Sequence, residues 1–104
     1  MATLQHNITN TVTTELLAKG DNISNIKAIT ISNQDTNNAA KIDLFMYDQV
    51  NNKSYYVLKN VGIPIETTLV LGPKDNIVFD NSVNGFSLII KANTSTSVDV
   101  IITR

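Results

Sequence analysis

The sequence predicts an all-β protein, a small antiparallel β-sandwich of about seven or eight strands. Three observations carry this. β-Branched residues dominate, with 13 Ile, 9 Val and 12 Thr among 104 residues; they are stiff at χ1 and fit a pleated, half-buried surface better than a helix. Apolar clusters recur at short spacing between breaks rich in Asn, Asp and Gly, the residues that suit turns. No segment sustains a helical period, and although Thr13 to Ala18 is long enough for one turn, its Thr content opposes helix. A jelly roll ranks second, since it usually wants eight strands and somewhat longer loops.

The elements follow in order. Residues 1–10 are polar without strand-length alternation and are expected to form an N-terminal arm that orders only against a neighbour. Residues 11–104 are expected to form one sandwich domain. Its first strand is expected at about Thr11 to Leu17, closed by Lys19-Gly20-Asp21-Asn22, and its second at Ile26 to Ser32, apolar enough to be central. Lys41 to Tyr47 alternates, with Ile42, Leu44 and Met46 on one face and Asp43, Phe45 and Tyr47 on the other. A loop with Asn51-Asn52, residues that tolerate the left-handed conformation, turns the chain into Ser54 to Asn60. These two strands should form a hairpin, with Tyr55 and Val57 on one face of the second and Tyr56 and Leu58 on the other. Pro64 cannot donate to a ladder, so it belongs at an edge or a crossing between sheets. Thr67 to Leu71 reads as the next strand, stopped by Gly72-Pro73, and Asn76 to Phe79 as a short one. Phe86 to Ala92 and Ser97 to Thr103 read as a closing hairpin, the latter alternating Val98, Val100 and Ile102 with Asp99, Ile101 and Thr103.

Charge excludes several functions. Eight basic against nine acidic residues give a net charge of -1, so there is no electrostatic footprint for nucleic acid or an anionic membrane. No apolar run approaches the roughly 20 residues of a membrane helix, and Met1 to His6 lacks the basic patch and apolar block of a signal peptide. With no Cys, there is no disulfide framework, thiolate metal site or thiol nucleophile. Charged residues make up only 16% of the chain, against about 25% in an average protein. Weak self-repulsion of this kind suits a protein that packs against neighbours.

The residues carry no catalytic signature. His6 is the lone imidazole, near the terminus and without an orienting partner. Asp35, Asp48, Asp75 and Asp80 fall in breaks, where Asp serves turn geometry, while Asp43 and Asp99 lie on strand faces and are expected to point outward. The four glycines are isolated, so no phosphate-cradling loop exists. No enzymatic activity, cofactor or metal is expected. Tyr47, Tyr55 and Tyr56 are the best candidate surface feature: they may be read as cross-strand packing, as a sugar-stacking platform, or as an interface, where Tyr is enriched.

The most distinctive stretch is Asp43-Leu44-Phe45-Met46-Tyr47-Asp48, followed by Ser54-Tyr55-Tyr56-Val57-Leu58 and Ile63-Pro64-Ile65-Glu66-Thr67-Thr68-Leu69-Val70-Leu71. With Thr9 to Thr14, Asn25 to Asn33 and Phe86 to Lys91, it resembles short structural proteins of marine tailed bacteriophages, especially cyanophages. The resemblance covers most of the chain and rests on a β-sandwich rhythm; Glu66 departs from it, since Gly is common after that Ile-Pro turn. It implies a non-enzymatic virion protein, first of all a capsid decoration (cement) protein that bridges capsomers. A neck or tail ring or baseplate subunit is the alternative within the virion, and a carbohydrate-binding module the alternative outside it. The implied partners are the major capsid protein or other virion proteins, with neither nucleic acid nor membrane, and the implied location is the virion, assembled in the host cytoplasm. Shell symmetry favours a homo-oligomer, a trimer at local three-fold positions. Contact residues are expected in the arm, at Leu4 and Ile8, and on the hairpin, at Tyr47, Tyr55 and Tyr56.

Overall fold

A computed structural model describes residues 3–21, 23, 26–72 and 81–103. Eight strands form two antiparallel sheets: β1 (Thr3–Thr9), β2 (Thr13–Leu17), β3 (Ala28–Asn33), β4 (Ala40–Asp48), β5 (Lys53–Ile63), β6 (Thr68–Leu71), β7 (Ser87–Ala92) and β8 (Ser97–Thr103). The strand orders are β1-β8-β3-β6 and β2-β7-β4-β5. That order is a jelly roll, the double Greek key, in which successive strands alternate between sheets except at the β4–β5 hairpin. The β-sandwich expected from composition is present, in the topology ranked second. No helix among the described residues is long and apolar enough to cross a membrane.

The core is the product of the period-2 pattern. Ile29 and Ile31 of β3 and Val98, Val100 and Ile102 of β8 meet Ile42 and Leu44 of β4 and Leu88 and Ile90 of β7, all fully buried. Burial of each such side chain stabilises the fold by about 1.5–3 kcal/mol relative to exposure.

Three features depart from the expectation. First, residues 3–9 are not an arm. They pair along their length with β8, from Thr3 opposite Thr103 to Thr9 opposite Ser97. Leu4, His6 and Ile8 form the inward row, with Ile8 only 2% exposed; the imidazole in the middle of that row hides the alternation. Second, β7 and β8 are not a hairpin: they lie in different sheets, and residues 93–96 arch between them. Third, Val57 is an extra residue in β5, because Leu44 and Phe45 oppose Leu58 and Tyr56. This bulge turns Leu58 inward, so that both Val57 and Leu58 pack on the core. The short strand expected at Asn76 to Phe79 lies outside the described residues.

Other expectations hold. β4 and β5 form the hairpin, and Asn52 at its tip has φ 51°. Pro64 begins the crossing from β5 in one sheet to β6 in the other. A further bulge in β2, between Glu15 and Leu17, lets the consecutive Leu16 and Leu17 both face the interior.

Candidate functional site

The tyrosine hairpin divides its rings between two faces of the sheet. Tyr56 lies on the outer face of its sheet, opposite Phe45, their ring centroids 5.0 Å apart and tilted by 44°. The Lys59 ammonium sits over the Tyr56 ring at 4.2 Å, where a sugar would have to stack. Tyr55 points to the other face, where it meets Phe86 edge-on at 6.0 Å. The Tyr47 hydroxyl donates to Asn52 Oδ1 and so braces the hairpin tip. Successive residues of a strand alternate in direction, and for Tyr55 and Tyr56 that alternation divides the pair. Tyr55 and Tyr56 therefore do not form a coplanar pair on one face; Tyr47 lies on the same outer face as Tyr56.

Of the other candidate contacts, Ile8 is a core residue, while Leu4 is half-buried and packs on the core from the β1 edge. In a paired β1 the even-numbered side chains face inward, so both pack into the sandwich of their own copy.

The carboxylates serve the fold. Asp48 accepts from the backbone of Val50 at 3.1 Å and from the Asn51 amide at 2.7 Å; that side-chain hydrogen bond holds its carboxyl below the usual range. Asp35 accepts from the backbone N–H of Asn37 and Asn38 at 2.8 and 2.9 Å. Asp43 is on the outer face as expected but is only 5% exposed. It opposes Lys59 and Asn60 together, accepting the Asn60 N–H at 2.6 Å and the Asn93 amide at 3.1 Å. Only a bulge with Asn60 at φ 51° brings that N–H round, a detail with no signature in the sequence. Asp75 and Asp80 lie outside the described residues. Among the described residues no group of three or more His, Cys, Asp or Glu is placed to hold a metal ion.

What remains is surface. The outer face of the β1-β8-β3-β6 sheet carries Gln5, Asn7 and Thr9; Ser97, Asp99 and Ile101; Thr30 and Ser32; and Thr68 and Val70, aligned by register into rows such as Asn7-Asp99-Ser32-Thr68. Its one charge among the described residues, Asp99, accepts the Asn7 amide at 2.5 Å, and Ile101 and Val70 stand exposed near it. Two open depressions flank this face. One, of about 300 Å³, runs between β1 and β8; the other, of about 350 Å³, is lined by uncharged residues of the arches, Asn38, Ala39 and Thr94 to Thr96.

No family model matches the chain, and no curated protein matches it. Among solved structures it is similar to the Yersinia pseudotuberculosis-derived mitogen, at 19% identity and TM-score 0.47 over 98% of this chain and 83% of that one. It is also similar to a chain from the structure of infectious bursal disease virus, Gx strain, at 13% identity and TM-score 0.47 over 99% of this chain and 32% of that one. At these values neither likeness bears on function.

Proposed function

We propose that this protein is a non-enzymatic structural component of a tailed-phage virion, first of all a decoration protein that cements the head by bridging capsomers. The observation that carries the reading is the outer face of the β1-β8-β3-β6 sheet, where Asp99 is the one charge among the described residues and accepts the Asn7 amide. Covering a face desolvates any charge on it at a cost of several kcal/mol; among the described residues that cost falls on Asp99 alone, whose carboxylate accepts the Asn7 amide. Interface cores are likewise depleted in charge. The jelly roll recurs in viral capsid and lectin domains, which is compatible with the reading but does not assign it, since folds host many functions. The phage itself is supported by the sequence resemblance.

In this role the sandwich is a rigid plate, 41 × 30 × 20 Å, laid across the joint between shell subunits. Contacts made on both sides must break before the joint opens, so internal pressure meets a higher barrier. The major capsid protein is the partner and the assembled virion the location. A neck, tail-ring or baseplate subunit would use the same uncharged face, and copy number separates the two positions. Quantitative mass spectrometry of virions purified from the source is the test. Hundreds of copies per particle are expected of a lattice-bound cement protein, whereas about a dozen or fewer, the order of an axial ring, place the chain at the neck or tail. Its absence from particles overturns the virion reading.

A further inference from the structure

Among the described residues four strands end the two sheets: β1 and β6 in one, β2 and β5 in the other. An edge strand presents a row of backbone donors and acceptors to any chain that approaches, and natural sheets blunt it with charge, proline, bulges or short length. Three of these edges carry such devices. β5 has Lys53, Lys59 and two register shifts against β4, with Pro64 directly after it. β2 has Glu15 and a register shift. β6 is four residues long. β1 has none of them. Its seven residues, Thr-Leu-Gln-His-Asn-Ile-Thr, include no Lys, Arg, Asp, Glu, Pro or Gly, and its register with β8 is unbroken.

We propose that β1 is a dimerisation edge: it pairs antiparallel with β1 of a second copy about a two-fold axis through His6. The two four-stranded sheets then continue as one sheet of eight strands. A second copy is the occupant because the strand is complementary to itself. Directly opposed residues of an antiparallel pair share a face, so the inward residues Leu4, His6 and Ile8 must oppose one another. The register centred on His6 satisfies this while pairing all seven residues. It sets Leu4, half-buried in one copy, opposite the partner's Ile8, and it places no carboxylate or ammonium group of the strand against its like. An isologous contact closes at two copies, so a dimer replaces the trimer suggested by shell symmetry. The pairing stands on the edge strand alone and does not depend on a place in the virion.

The chain has no Cys, so His6→Cys supplies a single thiol on the axis. Opposed Cα atoms in an antiparallel pair lie about 4.5–5.5 Å apart, within the reach of a disulfide. Val70→Cys, 56% exposed on the far edge strand β6, is the control for random oxidation. Asn7→Lys, on the outer face, would set two lysines on diagonal positions across the axis, their Cα atoms about 7–8 Å apart. Expected results are a wild-type dimer by light scattering at about 100 µM, reducible cross-linking of His6→Cys well above that of Val70→Cys, and at least a roughly tenfold weaker dimer for Asn7→Lys. Far-UV circular dichroism checks that each variant is folded; if His6→Cys is not, the wild-type and Asn7→Lys measurements decide. A wild type monomeric up to about 1 mM overturns the pairing and leaves the edge to an extended segment of another protein. Equal cross-linking of the two cysteine variants, or an unchanged dissociation constant for Asn7→Lys, overturns it too.

Discussion

Glu66 holds a φ of 53°, a conformation in which a side chain costs about 1–2 kcal/mol. It is the third residue of the turn Pro64-Ile65-Glu66-Thr67, closed by the Thr67 N–H on the Pro64 carbonyl at 3.2 Å. A turn with positive φ at that one central position is type II, which favours Gly there. Glu66→Gly is expected to stabilise the protein by about 0.5–1 kcal/mol once the extra entropy of an unfolded glycine is subtracted, seen in calorimetry as a Tm higher by a few degrees. Asn33 contributes in the opposite sense. Fully buried, its amide donates to the carbonyls of Asn38, Ile63 and Pro64 at 3.0–3.2 Å, and its Oδ1 accepts the Asp35 N–H at 2.9 Å. It ties the β3–β4 turn to the crossing after β5. Asn33→Ala should cost about 2–4 kcal/mol by urea denaturation, because buried partners lose their bonds. Asn33→Asp should cost more at neutral pH, since a carboxylate would face those carbonyl oxygens. Asn81 repeats the device, bonding Ala18, Ile23 and Phe86. The Asn content thus has two uses, in exposed turns and in buried ties, and composition shows only the first.

At the scale of elements, β1 is the decisive case. A disordered arm would tolerate any substitution, whereas a strand with Ile8 at 2% exposure would not. Ile8→Ala is expected to destabilise the protein by about 2–4 kcal/mol, read as a lower denaturant midpoint at unchanged slope. A change below about 0.5 kcal/mol, typical of a surface site, would restore the arm. Both bulges in β5 and the one in β2 interrupt the alternation on which strand faces are read. Where the chain runs without a bulge, as in β8, every face read from the sequence is the face observed. Where it has one, as at Val57, the residues beyond it change sides.

For the molecule as a whole, the topology sets the kinetics. β1 pairs with β8 and β2 with β7, so the sheets close only when the two ends of the chain meet. Domains dominated by such distant pairings fold in about milliseconds to seconds. Stopped-flow refolding of a monomeric variant such as Asn7→Lys should fall in that range, and microsecond folding would contradict it. Association should also be insensitive to salt, because the paired edge is uncharged and the net charge is -1. The dimer dissociation constant is expected to change less than about threefold between 0.05 and 0.5 M NaCl, a range over which surface charge pairs are largely screened.

By itself the sequence determined the all-β class, the position of most strands, the β4–β5 hairpin, the crossing at Pro64 and the turn roles of Asp35 and Asp48. Each of these depends on local preference: χ1 stiffness, side-chain period, and the φ that a turn residue tolerates. Only the tertiary structure decided that the sandwich is a jelly roll, that β1 belongs to it, that β7 and β8 part into different sheets, and that Asp43 is covered. A four-residue connection serves a hairpin or an arch equally well, and an alternating strand buries its apolar face against whichever sheet is opposite. The choice between partners is made by chain closure across the whole fold, and no short window of sequence contains it.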